Sequence, residues 1–309
     1  MKSYYRIMLG ANSVYANELV NEGYVGVGFL EEVDLTGTLA TNLRDFNKEY
    51  IPIYLKYHPE KTKIGAGLAC GFTWTVCKGM NIGDIVLSPD GKGDYNVGEV
   101  NGEYEYLKGK VLPHRRKVTW YPVKILSTNA SLELLNSAGS IGTVSNLTKY
   151  APEIEQLLEG KLAPVISTND ETIQSPSEFA LEKHLEDFLV QNWKSIELGK
   201  HYDIYSEDGQ LLGQQYPSDT GPIDILAISK DKKELLVVEL KKGRVSDVVV
   251  GQVQRYMGFV KEELATKDQI VKGVIIGFDE DVRVKRALAV TQNISFYTYK
   301  IHFKLEKKI

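Results

Sequence analysis

Cysteine is scarce in this 309-residue chain: only Cys70 and Cys77 are present, too few for a disulfide framework. Neither has a His or Cys partner at zinc-ligand spacing, so both read as core thiols, and a reducing, cytoplasmic compartment is expected. Long apolar runs are also missing. None approaches about 18 residues, which excludes a membrane-spanning helix. The segment Met1–Val20 is interrupted by Tyr4, Tyr5, Asn12, Asn17 and Glu18 and does not read as a signal peptide. Nor is there an excess of positive charge. Lys+Arg 37 against Asp+Glu 41 leaves a net charge of −4, so binding to nucleic acid through bulk charge is excluded and any such surface must be a local basic patch. The hydrophobic fraction of 43% and charged fraction of 25% are those of a globular protein.

This length accommodates two domains. Ala151 to Leu162 has helical spacing. The polar run from Ala163 to Asp170 and the Ser175-Pro176-Ser177 segment then read as a linker, dividing the chain into residues 1–165 and 166–309. The first half is rich in short strand-like runs. Asn81 to Ser88 (entered through a Gly83-Asp84 turn), Tyr95 to Val100, Glu103 to Leu107 and Lys117 to Val123 are the expected strands, with Asn101-Gly102 as a hairpin turn between the second and third. A small N-terminal β-barrel or half-barrel with one or two helices is the expected fold. In the second half, Ser175, Pro176 and Glu178 form a helix-start signature for a helix to about Trp193. Strands at Tyr202–Tyr205, Ile223–Ser229 and Glu234–Leu240 follow. Then come a helix from Ser246, a strand at Val271–Phe278, a helix from Glu280 and a last strand at Ile294–Tyr299. That order suits a mixed sheet flanked by helices, in an α+β or α/β arrangement.

The residues richest in chemistry lie on two neighbouring strands, Ile223-Asp224-Ile225-Leu226 and Val238-Glu239-Leu240-Lys241. A carboxylate inside an apolar strand is costly without a partner. Period-2 geometry puts Glu239 and Lys241 on one face, and a hairpin brings Asp224 beside them. Two converging carboxylates supply hard oxygen ligands for Mg2+ or Mn2+, and the lysine can orient a water or stabilise charge developing on a phosphate. On the preceding helix Glu182 and Glu186 lie one turn apart. On the following one Gln252 and Tyr256 share a face.

This Asp…Glu-x-Lys arrangement resembles the active site of the PD-(D/E)xK nuclease superfamily. The segment Gly251-Gln252-Val253-Gln254-Arg255-Tyr256 and the helix around Leu181–Leu189 resemble NucS-like (EndoMS-type) nucleases over roughly residues 175–300. The resemblance implies a restriction-endonuclease-like αβββαβ core. It implies Asp224 and Glu239 as metal ligands with Glu186 or Glu182 as a further one, Lys241 activating water, and Gln252 and Tyr256 positioning the phosphate.

In the first half, the strand reading Tyr95-Asn96-Val97-Gly98-Glu99-Val100 and the phrase His114-Arg115-Arg116-Lys117-Val118-Thr119-Trp120 resemble PUA/EVE-like domains and the small β domains fused to restriction nucleases. The implied role is capture of a flipped or modified base, with Trp74, Trp120, Tyr104 and Tyr106 as stacking faces and His114, Arg115, Arg116 and Lys117 on phosphate. The combined expectation is a Mg2+- or Mn2+-dependent endonuclease on double-stranded DNA, selecting modified cytosine in phage defence. It would act as a homodimer if both strands are cut together. The alternatives are a repair nuclease for mismatched or branched DNA, and a binding protein with a decayed nuclease fold.

Overall fold

A computed structural model describes residues 2–139, 142–160, 185–241, 244–280 and 282–300. The chain divides into two compact units, Met1–Ser167 and Thr168–Ile309. No helix among the described residues is long and apolar enough to cross a membrane. The expected linker at 163–170, the helix-start signature at Ser175–Glu178, and Glu182 lie outside the described residues.

The first unit is built on one six-stranded sheet. Its strands are β1 (Tyr4–Ile7), β2 (Tyr24–Val27), β3 (Ile85–Pro89), β4 (Tyr95–Tyr106), β5 (His114–Ile125) and β6 (Val144–Asn146), in the spatial order β2-β5-β4-β3-β1-β6. The end strands β2 and β6 do not pair with each other, so the sheet stays open. This corrects the expected N-terminal barrel, which requires closure edge to edge. At the edges β2 pairs with β5 and the three-residue β6 with β1, which in turn pairs parallel with β3. A parallel pair needs a long crossover. Here it is supplied by α1 (Ala16–Glu22), β2, α2 (Leu43–Tyr57) and α3 (Lys63–Trp74).

Asn42 and Thr62 cap α2 and α3 by accepting from the backbone N–H groups of Asp45 (2.9 Å) and Gly65 (3.0 Å). Phe46, Tyr50, Ile51, Ala66, Ala69 and Cys70 from these helices form an apolar core with Leu30 and Leu35. A second core gathers around Tyr4, Ile85, Leu87 and Val97, under α4 (Leu132–Ala138) and α5 (Ala151–Leu158). Cys70 and Cys77 are buried free thiols, and burial pushes both pKa values up.

The Asn101-Gly102 pair does not turn the chain. It lies within β4, which runs unbroken from Tyr95 to Tyr106 past a register shift between Val100 and Tyr104. A Cβ at Gly102 would lie 2.7 Å from Lys117 Cβ, so glycine serves close strand contact here.

The second unit holds a mixed sheet. Its strands are β7 (Tyr202–Ile204), β8 (Gln214–Tyr216), β9 (Ile223–Ser229), β10 (Glu234–Leu240), β11 (Ile270–Gly277) and β12 (Ile294–Thr298). The order is β8-β9-β10-β11-β12, with β7 also on β9. Strands β8, β9 and β10 are antiparallel, whereas β10, β11 and β12 run parallel. Alternation along β9 and β10 sends Ile225, Ala227, Leu236, Val238 and Leu240 to a core with Leu189 and Trp193, from the helix α6 (described over 185–191) and the turn after it. Glu197–His201 forms α7. The opposite face receives α8 (Val248–Phe259). It seats so closely that a Cβ on Gly273 would lie 2.6 Å from Val253 and 2.7 Å from Met257. A short helix α9 (Val282–Ala289) joins β11 to β12.

Candidate active site

The strand register makes the site. Ile225 pairs with Val238 in the β9–β10 ladder. One further step sets Asp224 opposite Glu239, at the end of both strands. Lys241 follows two residues after Glu239, and its backbone N–H still donates to Ile276 O at 2.8 Å, so this chain end is held in the sheet. Asp224 Oδ2 accepts from the backbone N–H of Leu240 at 2.7 Å. Lys241 Nζ donates to Glu239 Oε1 at 2.6 Å. The Glu239 side chain is 2% exposed and that of Lys241 34%, so the pair runs from interior to solvent.

On α8, Gln252 Nε2 donates to the Tyr256 hydroxyl at 3.2 Å. Tyr256 is buried, and its hydroxyl would lie 3.2 Å from a Cβ on Gly221, in the approach to β9. Burial pushes the phenol pKa up, and the negative charges of Glu239 and Asp224 add to this, so the hydroxyl keeps its proton at neutral pH.

Asp224 is under the same pressure. Desolvation, then Glu239, then Glu186 raise its pKa well above the ordinary carboxylate value, opposed by the Leu240 N–H and by Lys241. Like charges have thus been gathered at one strand end, beside one ammonium group.

Two residues of this cluster carry no clear sequence signal. Gln214 Nε2 donates to Glu186 Oε1 at 2.7 Å and also approaches Asp187 Oδ1 at 3.3 Å. Gln215 Nε2 donates to Glu186 Oε2 at 2.6 Å and to Asp224 Oδ1 at 3.2 Å. Successive strand residues ordinarily point to opposite faces. Here both amides reach Glu186 because Gln215 adopts φ +51°, the left-handed region. For a non-glycine residue this costs about 1–2 kcal/mol.

The structure therefore brings together Asp224, Glu239, Lys241, Glu186, Gln252 and Tyr256. Glu182 lies outside the described residues. Among the described residues, no group of three or more His, Cys, Asp or Glu side chains is arranged to hold a metal ion. Asp224 and Glu239 are hard oxygen donors whose mutual repulsion a divalent cation would offset. The oxygens of Asp224 accept from the Leu240 N–H and the Gln215 amide, and those of Glu186 from the Gln214 and Gln215 amides.

The residues expected to contact DNA in the first unit are placed differently. His114, Arg115 and Arg116 are buried, at 0%, 0% and 2% exposure. They form no surface patch, which corrects their expected contact with phosphate. Arg116 donates to the carbonyls of Gly102 (2.7 Å), Met80 (3.0 Å) and Cys77 (3.5 Å). Arg115 donates to the carbonyls of Leu112 (3.1 Å) and Val111 (2.7 Å), pairs with Glu22 and lies over the Tyr24 ring. His114 is held between Tyr104 Oη and Leu30 O, each at 2.9 Å, and burial lowers its pKa. Lys117 is exposed and paired with Glu105 at 3.1 Å.

The aromatic side chains are likewise engaged in packing. Trp74 Nε1 donates to Ala40 O at 3.0 Å, and Tyr106 Oη donates to Glu31 O at 2.6 Å. Trp74 and Tyr104 pack against the α2–α3 core. Trp120 packs against a core that includes Val100 and Val118, with its ring against Gly98, where a Cβ would come within 2.9 Å of Trp120 Cε3. Trp74 and Tyr104 thus belong to one core and Trp120 to another, while Tyr104 and Tyr106 both lie against the His114 ring.

Residues 181–302 match the family described as the endonuclease NucS C-terminal domain, and residues 5–148 match a domain of unknown function (DUF8426). The second unit is thus NucS/EndoMS-like, fused to a first unit whose family has no described function. No curated protein matches the chain. Similar solved structures include an EndoMS complex with double-stranded DNA, at 13% identity and TM-score 0.31, over 71% of this chain and 66% of that one. A repair endonuclease from Pyrococcus abyssi is similar at 16% identity and TM-score 0.30, over 68% and 63%. The MspJI restriction endonuclease with a 27-mer oligonucleotide follows at 10% and 0.23, over 70% and 57%. The chain spans less than two-thirds of each of these structures, and at such TM-scores the likeness carries no argument.

Proposed function

We propose that this protein is a DNA endonuclease of the NucS type, acting on mismatched or branched duplexes, with its chemistry in residues 166–309. The observation that carries this reading is the convergence of Asp224, Glu239 and Lys241 at one strand end beneath Gln252 and Tyr256, inside the segment matching the NucS C-terminal domain. The buried basic cluster of the first unit removes the main support for selection of modified cytosine and for a role in restriction or phage defence. In this reading residues 1–165 contact the substrate through a surface that His114, Arg115 and Arg116 do not form.

Each side chain has a physical task. Asp224 and Glu239 would hold Mg2+ or Mn2+, which when bound lowers the pKa of water and offsets phosphate charge. Lys241 pairs with Glu239 across a 2.6 Å contact, and its side chain is partly exposed, so a phosphate can reach it. There it stabilises charge developing on the phosphoryl oxygens. Tyr256 retains its proton and can donate to a phosphate oxygen, and Gln252 fixes the hydroxyl that does so.

The test is a substrate panel of mismatched duplexes, flaps, and methylated and hydroxymethylated duplexes, with Mg2+ or Mn2+ and a Lys241→Ala control. Cleavage of mismatched or branched DNA, lost in the control, is the expected result. Cleavage confined to modified duplexes would replace this reading with modification-dependent restriction. No cleavage of any substrate would leave a catalytically decayed binding protein.

A further inference from the structure

We propose that Gln215 is a positioning residue, one that spends backbone strain to fix Asp224 and Glu186 in the geometry the site requires. The proposal rests on the nuclease reading above and adds to it a residue with no apparent chemistry of its own.

Three observations carry it. The first is the backbone. Gln215 sits at φ +51° in the middle of β8, between Gln214 and Tyr216, which pair regularly with Ile225 and Ile223. The ladder register is unbroken on either side, so the conformation answers no demand for an extra residue. Strain of this kind, held by well-ordered neighbours, points to a local task.

The second is what the conformation achieves. An amide NH2 has two hydrogens. Those of Gln215 go to Glu186 Oε2 at 2.6 Å and Asp224 Oδ1 at 3.2 Å, so one neutral group joins two carboxylates.

The third is the other side of Asp224, whose Oδ2 accepts from Leu240 N–H on β10 at 2.7 Å. The carboxylate is therefore clamped from both neighbouring strands, by a backbone donor on one side and the Gln215 amide on the other. Gln214 completes the device by holding Glu186 Oε1 at 2.7 Å, so Glu186 acts through the glutamines as an anchor. The rigid approach to β8 supports it: a Cβ on Gly213 would lie 2.1 Å from Leu226 O, so the strand enters at a fixed position.

Supporting groups that orient a metal-ligating carboxylate change metal affinity or activity by about 10–100-fold when removed. The informative variant is Gln215→Gly. Glycine adopts positive φ without penalty, so relief of the backbone strain offsets part of the loss of the amide's two hydrogen bonds and the fold is retained. Two quantities are measured on the full chain: Mn2+ binding by electron paramagnetic resonance without DNA, and the Mn2+ concentration for half-maximal cleavage.

The expected result is about a 10–100-fold weakening of both in Gln215→Gly, with Gln215→Asn, which tolerates the same backbone and keeps a shorter amide, falling between. If the wild type cleaves and Gln215→Gly matches it in both, the positioning role is overturned and the nuclease reading stands. If the wild type cleaves nothing but binds Mn2+, and Gln215→Gly binds it 10–100-fold less tightly, the nuclease reading fails and the positioning role stands. If the wild type binds no Mn2+, the positioning role is overturned, and cleavage alone judges the nuclease reading.

Discussion

Each unit of this protein buries a cluster of charged side chains, and the two clusters differ in what satisfies them. In the first unit Arg115 and Arg116 are surrounded by backbone carbonyls, with Glu22 at one edge. A guanidinium has five donors in a fixed fork, and these spend most of them on the chain itself. In the second unit Asp224 is buried near Glu239 and Glu186, and its pKa rises through desolvation first and then through their charges. Donors consumed by carbonyls tie strands and loops together and leave little for a ligand. Carboxylates set against carboxylates store repulsion that a cation or a proton relieves. Burial alone does not separate scaffold from site; the sign and identity of the neighbours do.

The largest effect expected from this contrast is on the acidic side. Asp224→Asn, Glu239→Gln and Lys241→Ala should each lower the cleavage rate on the order of 10³-fold, the scale for loss of one group stabilising a transition state. The double variants should be little worse than the singles, because the groups act as one unit. Single-turnover cleavage measures this, and wild-type rates in any one variant would remove that residue from the mechanism.

On the basic side the same kind of substitution should act on folding. Arg116→Ala strands the carbonyls of Gly102 and Met80 and should destabilise the first unit by about 3 kcal/mol, read by thermal or urea denaturation. DNA affinity measured on folded protein should keep its salt dependence, since no phosphate contact is lost. A shallower salt slope in Arg116→Ala would reverse the comparison and return this cluster to the DNA interface.

A third expectation follows from the raised pKa of Asp224. The folded chain holds this proton more tightly than the unfolded chain, whose carboxyl titrates near its ordinary value of 3.8. Between that value and the raised one the native state binds more protons, so ∂ΔG/∂pH is negative for this group. Its contribution is fully present below the unfolded pKa and is lost as pH rises through the folded one. The wild-type minus Asp224→Asn stability difference in metal-free protein should therefore fall with rising pH over that window. A flat difference would show that Asp224 titrates normally.

How much of this was legible in the sequence depended on the range of the forces involved. The strands Ile223–Ser229 and Glu234–Leu240 are continuous apolar runs bounded by a polar turn, and the structure has them at those bounds. Asp224, Glu239 and Lys241 stood out because a charge inside such a run needs a partner. Gln214 and Gln215 did not stand out, because a left-handed residue inside a short polar strand leaves no periodic trace. In the first unit the Asn-Gly signal was overridden by pairing of β4 with β5 along its whole length. The barrel expectation failed because the parallel β1–β3 pair links residues about eighty positions apart, which no local pattern reveals. Arginines in sequence read as surface charge. Only the packed chain shows carbonyls of Val111, Leu112, Gly102 and Met80 waiting for them.

The smallest expected effect concerns Trp120, which lies at the border between the two readings of the first unit. Its indole Nε1 is buried without a hydrogen-bond partner among the described residues, an arrangement that costs stability. The ring packs across from Gly98, its partner in the β4–β5 ladder, and covers the gap that a missing side chain leaves there. If covering Gly98 is the whole task, Trp120→Phe should keep most of the packing and remove the orphaned donor. The two terms oppose each other, so the net change in stability should stay within about 1 kcal/mol. Trp120→Ala should instead cost about 3–5 kcal/mol, the scale for removing a packed indole. DNA binding by folded Trp120→Phe should match the wild type on plain, methylated and mismatched duplexes alike. A stacking face for a flipped base behaves otherwise: there Phe would weaken binding to one substrate class while leaving stability and salt slope unchanged, because stacking displaces no counterion. Fluorescence anisotropy across the three duplexes, set beside the melting curve of each variant, separates an indole that fills the sheet from one that reads a base.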